Sequence, residues 1–299
     1  MIGTVQRHEA IQAGGMTIDS MDDAAALERR ASRHETPCGE ASLVWRIWGD
    51  PASALPPVVL LHGGSGSWSH WVRNIDALVG AGRRVIAPDL PGFGDSARPA
   101  HGGDADALAQ PLEDGLRRLL GDVACDLVGF SFGGLVATFI AAQFPARVRR
   151  LVLVGAPALG LPREPMLLRA WTHLEPGPAR QEAIRANLAA LMLARLASID
   201  AFALALQEHN VARDRMRRRR LARTDALVRT LPGVRAPVFG IWGALDAIYR
   251  GQTARIEPAL RSAPAFRWLE RIAGAGHWVQ FEAASLFDAA LTKALSCAD

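Results

Sequence analysis

The sequence predicts an α/β protein with a mostly parallel sheet, helices on both faces of that sheet and an inserted helical cap. Three observations predict it: short apolar runs that end in glycine, helical segments that alternate with those runs, and a long stretch in which the alternation stops. With 299 residues, 49% of them hydrophobic and 21% charged, the chain is long enough to bury a large core.

The predicted elements follow one another in a regular order. "SLVWRIWG" alternates as a strand does, "PPVVLLHGG" is a buried strand, and "SHWVRNIDALVGAG" has helical spacing of its apolar residues. Next come a strand in "RRVIAPDLPGFGDS", a helix in "ADALAQPLEDGLRRLLG", a strand in "CDLVGFS", a helix in "FGGLVATFIAAQFP" and a strand in "VRRLVLVGAP". The order resumes later with the strand "APVFGIWGALD", a helix near "GQTARIEPALRS", the strand "AFRWLERIAGAG" and the helix "HWVQFEAASLFDAALTKAL".

This order divides the chain into an arm, a core and a cap. Residues 1–33 are polar and weakly periodic, so we predict an N-terminal arm, or a loose helix in "DDAAALERRA", ahead of the core. Because this segment lacks an apolar periodic face to bury, removal of about the first 30 residues is expected to leave activity and stability largely intact. The Leu/Ala/Arg-rich stretch at 158–232 predicts successive helices, which is typical of a cap inserted into a core formed by 34–157 and 233–299.

Charge and cysteine content exclude several classes of function. The net charge is +4, and the basic run "RDRMRRRRLAR" at 213–223 is interpreted as a solvated helix face, so no nucleic-acid partner is expected. No apolar run is long enough to span a bilayer or to form a signal peptide, so no membrane partner is expected. The widely spaced Cys38, Cys125 and Cys297 form neither a metal-spaced nor a redox pair, which favours the cytoplasm. The sequence leaves the oligomeric state open, and a homo-oligomer is possible.

Ser131 is the candidate nucleophile. It lies in "GFSFGG", where a buried strand meets a helix, and glycine two positions away on either side allows the strand and the helix to cross closely. Such a turn presents the serine hydroxyl at the carboxyl edge of the sheet. The backbone N–H of Phe132 begins the helix and is a candidate donor to an oxyanion.

A serine hydroxyl needs a base, and the base needs an acid that orients it. Asp246 follows the apolar strand "VFGIWGALD", and His277 follows the last strand in "AGAGHWVQFE". Both are therefore expected at the same sheet edge as Ser131. The glycine turn in "LLHGGSGSW" supplies a second candidate oxyanion donor, the amide of Gly64.

Other polar residues near these motifs have different predicted roles. His62 is expected to stabilise the glycine turn, and Asp89 is expected to organise the loop "APDLPGFGDS". Apolar residues beside the site and in the cap favour a small-molecule substrate with apolar groups. The candidate substrate contacts are Phe130, Trp171 and Trp278.

Five motifs carry a family resemblance. "LHGGSG", "PDLPGFGDS", "GFSFGG", "WGALD" and "GAGHW" resemble, in this order, the oxyanion loop, the next strand and loop, the elbow, the acid loop and the histidine loop of the α/β-hydrolase fold family. The resemblance is to its serine-nucleophile branch with a helical cap. It implies a triad of Ser131, His277 and Asp246, an oxyanion hole from the amides of Gly64 and Phe132, and neither a metal nor an organic cofactor.

The resemblance leaves the reaction open. The "GHW" loop and the cap are similar to hydrolases of meta-cleavage products, which cut a carbon–carbon bond. Those enzymes commonly have asparagine where this chain has Phe130, and a Pro/Gly-rich loop where it has "SGSW". We therefore predict hydrolysis of carboxylic esters with apolar acyl or aryl groups. Carbon–carbon hydrolysis is the alternative, and a non-catalytic ligand-binding protein on a hydrolase scaffold is an alternative of another class.

Overall fold

One sheet organises the molecule. The computed structural model describes residues 18–99, 103–216 and 219–297, and within these ranges the sheet has eight strands in the order β1-β2-β4-β3-β5-β6-β7-β8. The pairs β1–β2 and β2–β4 are antiparallel and the other pairs are parallel. The strands are β1 (Ser32–Cys38), β2 (Ala41–Trp48), β3 (Val58–Leu61), β4 (Val85–Pro88), β5 (Cys125–Phe130), β6 (Val148–Val154), β7 (Val238–Gly243) and β8 (Phe266–Ile272).

Helices pack on both faces of the sheet. Successive residues of a strand point to opposite faces, so Val59 and Leu61 belong to one apolar cluster and Val58 and Leu60 to the other. The predicted fold class is therefore confirmed. None of the helices in the described ranges combines the length and the apolar character that crossing a membrane requires. The helices are α1 (Met21–Arg29), α2 (Ile75–Gly80), α3 (Ala109–Leu120), α4 (Phe132–Gln143), α5 (Pro178–Asn187), α6 (Ala201–Ala212), α7 (Ala226–Thr230), α8 (Ile256–Leu260), α9 (Val279–Glu282) and α10 (Ala284–Ser296).

The segment between β6 and β7 is helical, as the loss of alternation predicts. It carries α5, α6 and α7, and the described part contains no strand. Ile184 of α5 and Phe202 of α6 extend the apolar cluster on one face of the sheet. Leu227 of α7 instead joins the cluster on the other face, where α7 contacts α4. Helix α7 lies before residue 232 but packs on the core helix α4, so the structure does not mark where the cap ends. The cap boundary at residue 232 stays a prediction.

The described part of the N-terminal segment is a docked helix, which corrects the expectation of an arm without a buried face. Leu27 of α1 is fully buried, and its carbonyl accepts a 2.9 Å hydrogen bond from Nε1 of Trp48. Glu28 accepts a 2.6 Å bond from Nε of Arg46, whose guanidinium is itself buried in the core. The expectation failed because only two of the nine residues of α1 are buried, a face too short to stand out as a periodic pattern in the sequence. Residues 1–17 lie outside the described residues.

We expect Leu27→Ala to lower the free energy of unfolding by about 2–5 kcal/mol, because it leaves a cavity under α1. Met21 lies on the same helix but is 37% exposed, so Met21→Ala is the matched control and should change stability by less than about 0.5 kcal/mol. Urea unfolding of both variants measures the difference. Equal stability of the two variants would show that α1 is not docked in solution.

Candidate active site

Ser131 lies in a strained turn between β5 and α4. Its φ is +48° and its ψ is −120°, a backbone conformation that a non-glycine residue adopts at a cost on the order of 1–3 kcal/mol. Three backbone hydrogen bonds hold it: Ser131 N–H donates to Val154 O at 2.8 Å, and Ser131 O accepts from the N–H groups of Gly134 at 2.8 Å and Leu135 at 3.3 Å. The turn therefore presents a partly exposed hydroxyl at the carboxyl end of β5.

Glycine is required on both sides of this turn. A Cβ atom at Gly129 would lie 2.6 Å from Cα of Gly134, and one at Gly133 would lie 2.4 Å from the carbonyl oxygen of His62. Both contacts are shorter than real Cβ atoms make with backbone. The glycine spacing in the sequence therefore has a steric cause: a larger residue at either position would collide with neighbouring backbone.

The structure brings Ser131, His277 and Asp246 together. The distance from His277 Nε2 to Ser131 Oγ is 2.9 Å, and the distance from His277 Nδ1 to Asp246 Oδ2 is also 2.9 Å. The three residues follow β5, β8 and β7, whose carboxyl ends lie at one edge of the parallel sheet. In the arrangement that fits a carboxylate, Nδ1–H donates to Asp246 and Nε2 accepts the proton of Ser131.

The loop that carries Asp246 is held on both sides. Ile248 N–H donates to Asp246 Oδ1 at 2.9 Å, which leaves Oδ2 for His277. Tyr249, three residues after Asp246, is fully buried, and its hydroxyl donates to the carbonyl of Ala156 at 2.7 Å. Burial raises the pKa of the Tyr249 hydroxyl well above its usual range. The carboxylate therefore sits on a rigid support.

The two candidate oxyanion amides lie beside the serine. Phe132 is the first residue of α4, and Gly64 follows Gly63, where a Cβ atom would lie 3.2 Å from Cβ of Ser131. Within the described ranges, neither the Gly64 nor the Phe132 amide donates a hydrogen bond to another protein group. Both N–H groups are therefore available to a ligand, and their role in an oxyanion hole stays a prediction.

Two buried histidines support the loop that carries Gly64. Leu90 N–H donates to His62 Nε2 at 2.8 Å, so the proton of the neutral ring is on Nδ1, which donates to Gly63 O at 2.7 Å. Burial lowers the pKa of His62 to about 4. His70 Nδ1 accepts from Gly63 N–H at 3.2 Å, and burial also lowers the pKa of His70. Both rings act as neutral braces on Gly63.

We expect His62 to lower the stability of the protein as pH falls from about 6.5 to about 4, against the opposite contribution of Asp288, whose pKa burial raises to about 7. The unfolded chain protonates His62 near its ordinary pKa of 6.5, whereas the folded site resists protonation down to about pH 4. At this site the unfolded state therefore binds more protons in this window, and the contribution of His62 to the loss reaches about 3 kcal/mol at its acid end. Melting temperatures across this pH range measure the effect.

His62→Gln tests the assignment, because it removes the titrating ring. As pH falls through this window, its melting temperature should fall less than that of the wild type. His34→Gln, a change at an exposed position, is the matched control and should keep the wild-type slope. An unchanged slope in His62→Gln would contradict the assignment.

The candidate substrate contacts occupy different places. Phe130 is fully buried and packs on the His277 ring, with 5.0 Å between ring centroids. Trp278 is also buried: its Nε1 donates to His70 O at 3.0 Å, and its ring stacks on Phe281 at 4.2 Å. Trp171 lies in the cap segment under Arg180, 5.0 Å from the guanidinium carbon to the ring. Contact of these three residues with a substrate stays a prediction.

Asp89 lies at the centre of the neighbouring loops. Its Oδ1 accepts from Trp68 N–H at 2.9 Å, and its Oδ2 accepts from Asp95 N–H at 2.9 Å and from Arg46 at 3.1 Å. No atom of this carboxylate is exposed. Asp89 thus joins the loop after β3 to the loop after β4.

Glu282 was missed by the sequence analysis. Its carboxylate accepts from Gly276 N–H at 2.6 Å, from Ala194 N–H at 3.1 Å and from Arg195 N–H at 2.7 Å. It therefore ties the histidine loop to the cap segment. The sequence does contain a sign of this residue: Glu282 is the one acid in "HWVQFE" and lies five positions after His277.

The arginine run is not a solvated helix face, which corrects the sequence interpretation. Helix α6 ends at Ala212, and Arg213, the first residue of the run, pairs with Asp95 at 2.8 Å. Arg219 pairs with Asp214 at 2.8 Å. Arg213 therefore binds the loop after β4, whereas Arg219 pairs with an acid of the run itself. Residues 217 and 218 of the run lie outside the described residues.

Comparison with known proteins finds relatives that are named as a hydrolase and as an acetyltransferase component. The chain is 31% identical over 264 residues to a 2-hydroxymuconate semialdehyde hydrolase of Pseudomonas sp. (strain CF600), covering 81% of this chain and 88% of that protein. It is 31% identical over 245 residues to the dihydrolipoyllysine-residue acetyltransferase component of an acetoin cleaving system of Pseudomonas putida. That match covers 76% of this chain but spans 60% of the length of the acetyltransferase component.

Solved structures and a family model agree with these relatives. An esterase from Rhodococcus sp. ECU1013 has a TM-score of 0.72 and 26% identity, covering 89% of this chain and 98% of that one. The model of the alpha/beta hydrolase fold matches residues 56–220, more than half of the chain. That match extends from β3 through the turn at Ser131 into the cap segment. On its sheet order, its motifs and this match, the chain belongs to the α/β hydrolase fold family.

Proposed function

We propose that the protein hydrolyses carboxylic esters with apolar acyl or aryl groups by transferring the acyl group to Ser131 and then to water. The observation that carries the proposal is the continuous relay from Ser131 Oγ through His277 to Asp246, with 2.9 Å at each step. The strained backbone of Ser131 supports it, since such strain clusters at functional turns. The similarity to a Rhodococcus esterase supports it further.

The proposed mechanism uses only groups of this chain and water. His277 Nε2 takes the proton of Ser131 as Oγ attacks the ester carbonyl, and Asp246 stabilises the resulting imidazolium. The amides of Gly64 and Phe132 hold the negative oxygen of the tetrahedral intermediate. The intermediate collapses, His277 gives its proton to the leaving alcohol, and an acyl-serine forms. Water then repeats the sequence, with His277 as the base, and releases the carboxylic acid.

The charges around the site favour a neutral acyl group. Arg219 lies against Gly64, where a Cβ atom would be 3.1 Å from its Nε, but its charge is balanced by Asp214 at 2.8 Å. A substrate carboxylate would therefore compete with Asp214 for this cation. Phe130, Trp278 and the apolar side chains around them form the wall behind the relay. An ester without charge fits these surroundings better than an anion does.

Carbon–carbon hydrolysis of a ring-fission dienone is the second candidate. The observation that favours it is the 31% identity to a 2-hydroxymuconate semialdehyde hydrolase over 81% of this chain. The same relay could serve it, because water attack on a ketone also passes through a tetrahedral oxyanion.

A paired assay separates the two reactions. On nitrophenyl esters of increasing acyl length, kcat/KM should rise from acetate to a medium chain and then fall, since each buried methylene adds roughly 0.8 kcal/mol until the cavity is full. A carboxylate-bearing dienone should be cleaved slowly. A flat, slow ester series together with rapid dienone cleavage would replace the ester proposal with the second candidate.

A non-catalytic ligand-binding protein is tested by the same assay. Turnover of an activated ester that disappears in Ser131→Ala excludes it. If neither the ester series nor the dienone is turned over faster by the wild type than by Ser131→Ala, the binding function becomes the better explanation.

A further inference from the structure

The basic run forms a strap on the core. We call residues 213–216 and 219 the arginine strap. Arg215 N–H donates to Gly92 O at 2.9 Å, and Arg215 Nη2 donates to Gly94 O at 3.1 Å. The strap therefore follows the loop after β4 and joins the end of α6 to the core. Neither the proposed mechanism nor the cap prediction gives this strap a role.

Two residues of the strap form hydrogen bonds with Ser65, which follows the candidate oxyanion donor Gly64. Ser65 Oγ donates to Asp214 Oδ2 at 2.6 Å. Arg219 closes the triangle: its Nη1 donates to Asp214 Oδ2 at 2.8 Å, and its Nη2 donates to Ser65 Oγ at 3.2 Å. The Asp214 side chain is only 7% exposed, so water competes little for these bonds.

These hydrogen bonds matter because the backbone of Ser65 is strained. Its φ is +52°, in the left-handed region that favours glycine. Among the described non-glycine residues, only Ser65, Ser131 and Ala158 have a positive φ. A side-chain clamp on Ser65 therefore fixes one end of the short turn that carries the Gly64 amide.

Arg219 also lies beside the turn that carries the Gly64 amide. Its Nε would be 3.1 Å from a Cβ atom at Gly64, and its guanidinium carbon is 6.0 Å from the centre of the Phe132 ring. The guanidinium group therefore packs on this turn, while its charge stays paired with Asp214 at 2.8 Å.

We propose that Asp214 and Arg219 are positioning residues for the oxyanion hole. Asp214 holds Ser65 in its left-handed conformation and so fixes the Gly64 amide, and Arg219 locks that contact through its hydrogen bonds to both side chains. The proposal rests on the proposed function of Ser131. It makes the cap segment a part of the catalytic apparatus, since both residues lie between β6 and β7.

The test compares kcat, KM and the affinity for an alkyl boronic acid, which forms a tetrahedral adduct on a reactive serine. The variants are Asp214→Asn, which keeps the shape of the side chain, and Arg219→Gln. Both should lower kcat on a neutral nitrophenyl ester by roughly 10- to 100-fold, leave KM within about twofold, and weaken boronate binding by about the same factor as kcat. Arg220→Gln is the control, because Arg220 is an exposed residue of the same run, and it should leave all three values unchanged.

A Ser65→Gly background separates positioning from general stability. Glycine adopts a positive φ without a clamp, so Asp214→Asn should cost less activity in Ser65→Gly than in the wild type. An equal loss in both backgrounds, a loss in KM alone, or unchanged boronate affinity would overturn the proposal.

The result also distinguishes this proposal from that for Ser131. Normal turnover in Asp214→Asn, combined with none in Ser131→Ala, overturns the positioning role alone. Turnover that survives Ser131→Ala overturns both proposals.

Discussion

We expect Ser131→Ala to lower kcat on activated esters by at least about 10⁴-fold while the protein stays folded, because the variant lacks the atom that attacks the carbonyl. His277→Ala should lose a comparable factor, since no other group accepts a hydrogen bond from Ser131 Oγ in the described residues. The double variant should be scarcely slower than either single one, because the two residues act as a unit. Steady-state kinetics on one ester measure all three.

A fluorophosphonate probe gives an independent readout of the same serine. It should label the wild type and fail to label Ser131→Ala, although melting temperatures of the two proteins stay similar. Labelling that persists at wild-type rate in Ser131→Ala would place the nucleophile elsewhere.

Asp246→Asn should lower kcat by roughly 10³- to 10⁴-fold, with little change in KM. An asparagine that donates its amide N–H to His277 Nδ1 would favour the tautomer with its proton on Nε2, which cannot accept the proton of Ser131. Asp246 is fully buried, so bulk solvent does not reach the position of the lost acceptor.

Asp225→Asn is the matched control, because it removes the same charge from an exposed loop. It should leave kcat within about twofold of the wild type. Near-normal activity in Asp246→Asn would show that another acid orients His277.

The core strands could be predicted from the sequence because the apolar residues of each strand indicate that it is buried. The run "PPVVLLHGG" is apolar on both faces since β3 lies between two other strands. The edge strand β1 was not predicted. Its sequence "SRHETPC" has no apolar alternation, and most of its side chains are exposed. Only its ladder of partners on β2 makes it a strand.

Chain order predicted the meeting of Ser131, Asp246 and His277, because each follows a strand of one parallel sheet. The same reasoning could not find the contact between Ser65 and Asp214. They are 149 positions apart, and their contact depends on how the end of α6 docks on the core. Nothing in the local composition of either residue indicates that docking.

The buried tyrosine beside the acid loop has a spectroscopic consequence. Tyr249 is the one tyrosine of the chain, so every tyrosinate absorbance signal comes from the residue three positions after Asp246. Because burial holds its hydroxyl protonated far above the usual pKa, the signal should stay absent during an alkaline titration until this loop opens, and then rise in one step. Native ultraviolet absorbance therefore follows the integrity of the acid loop without any added label.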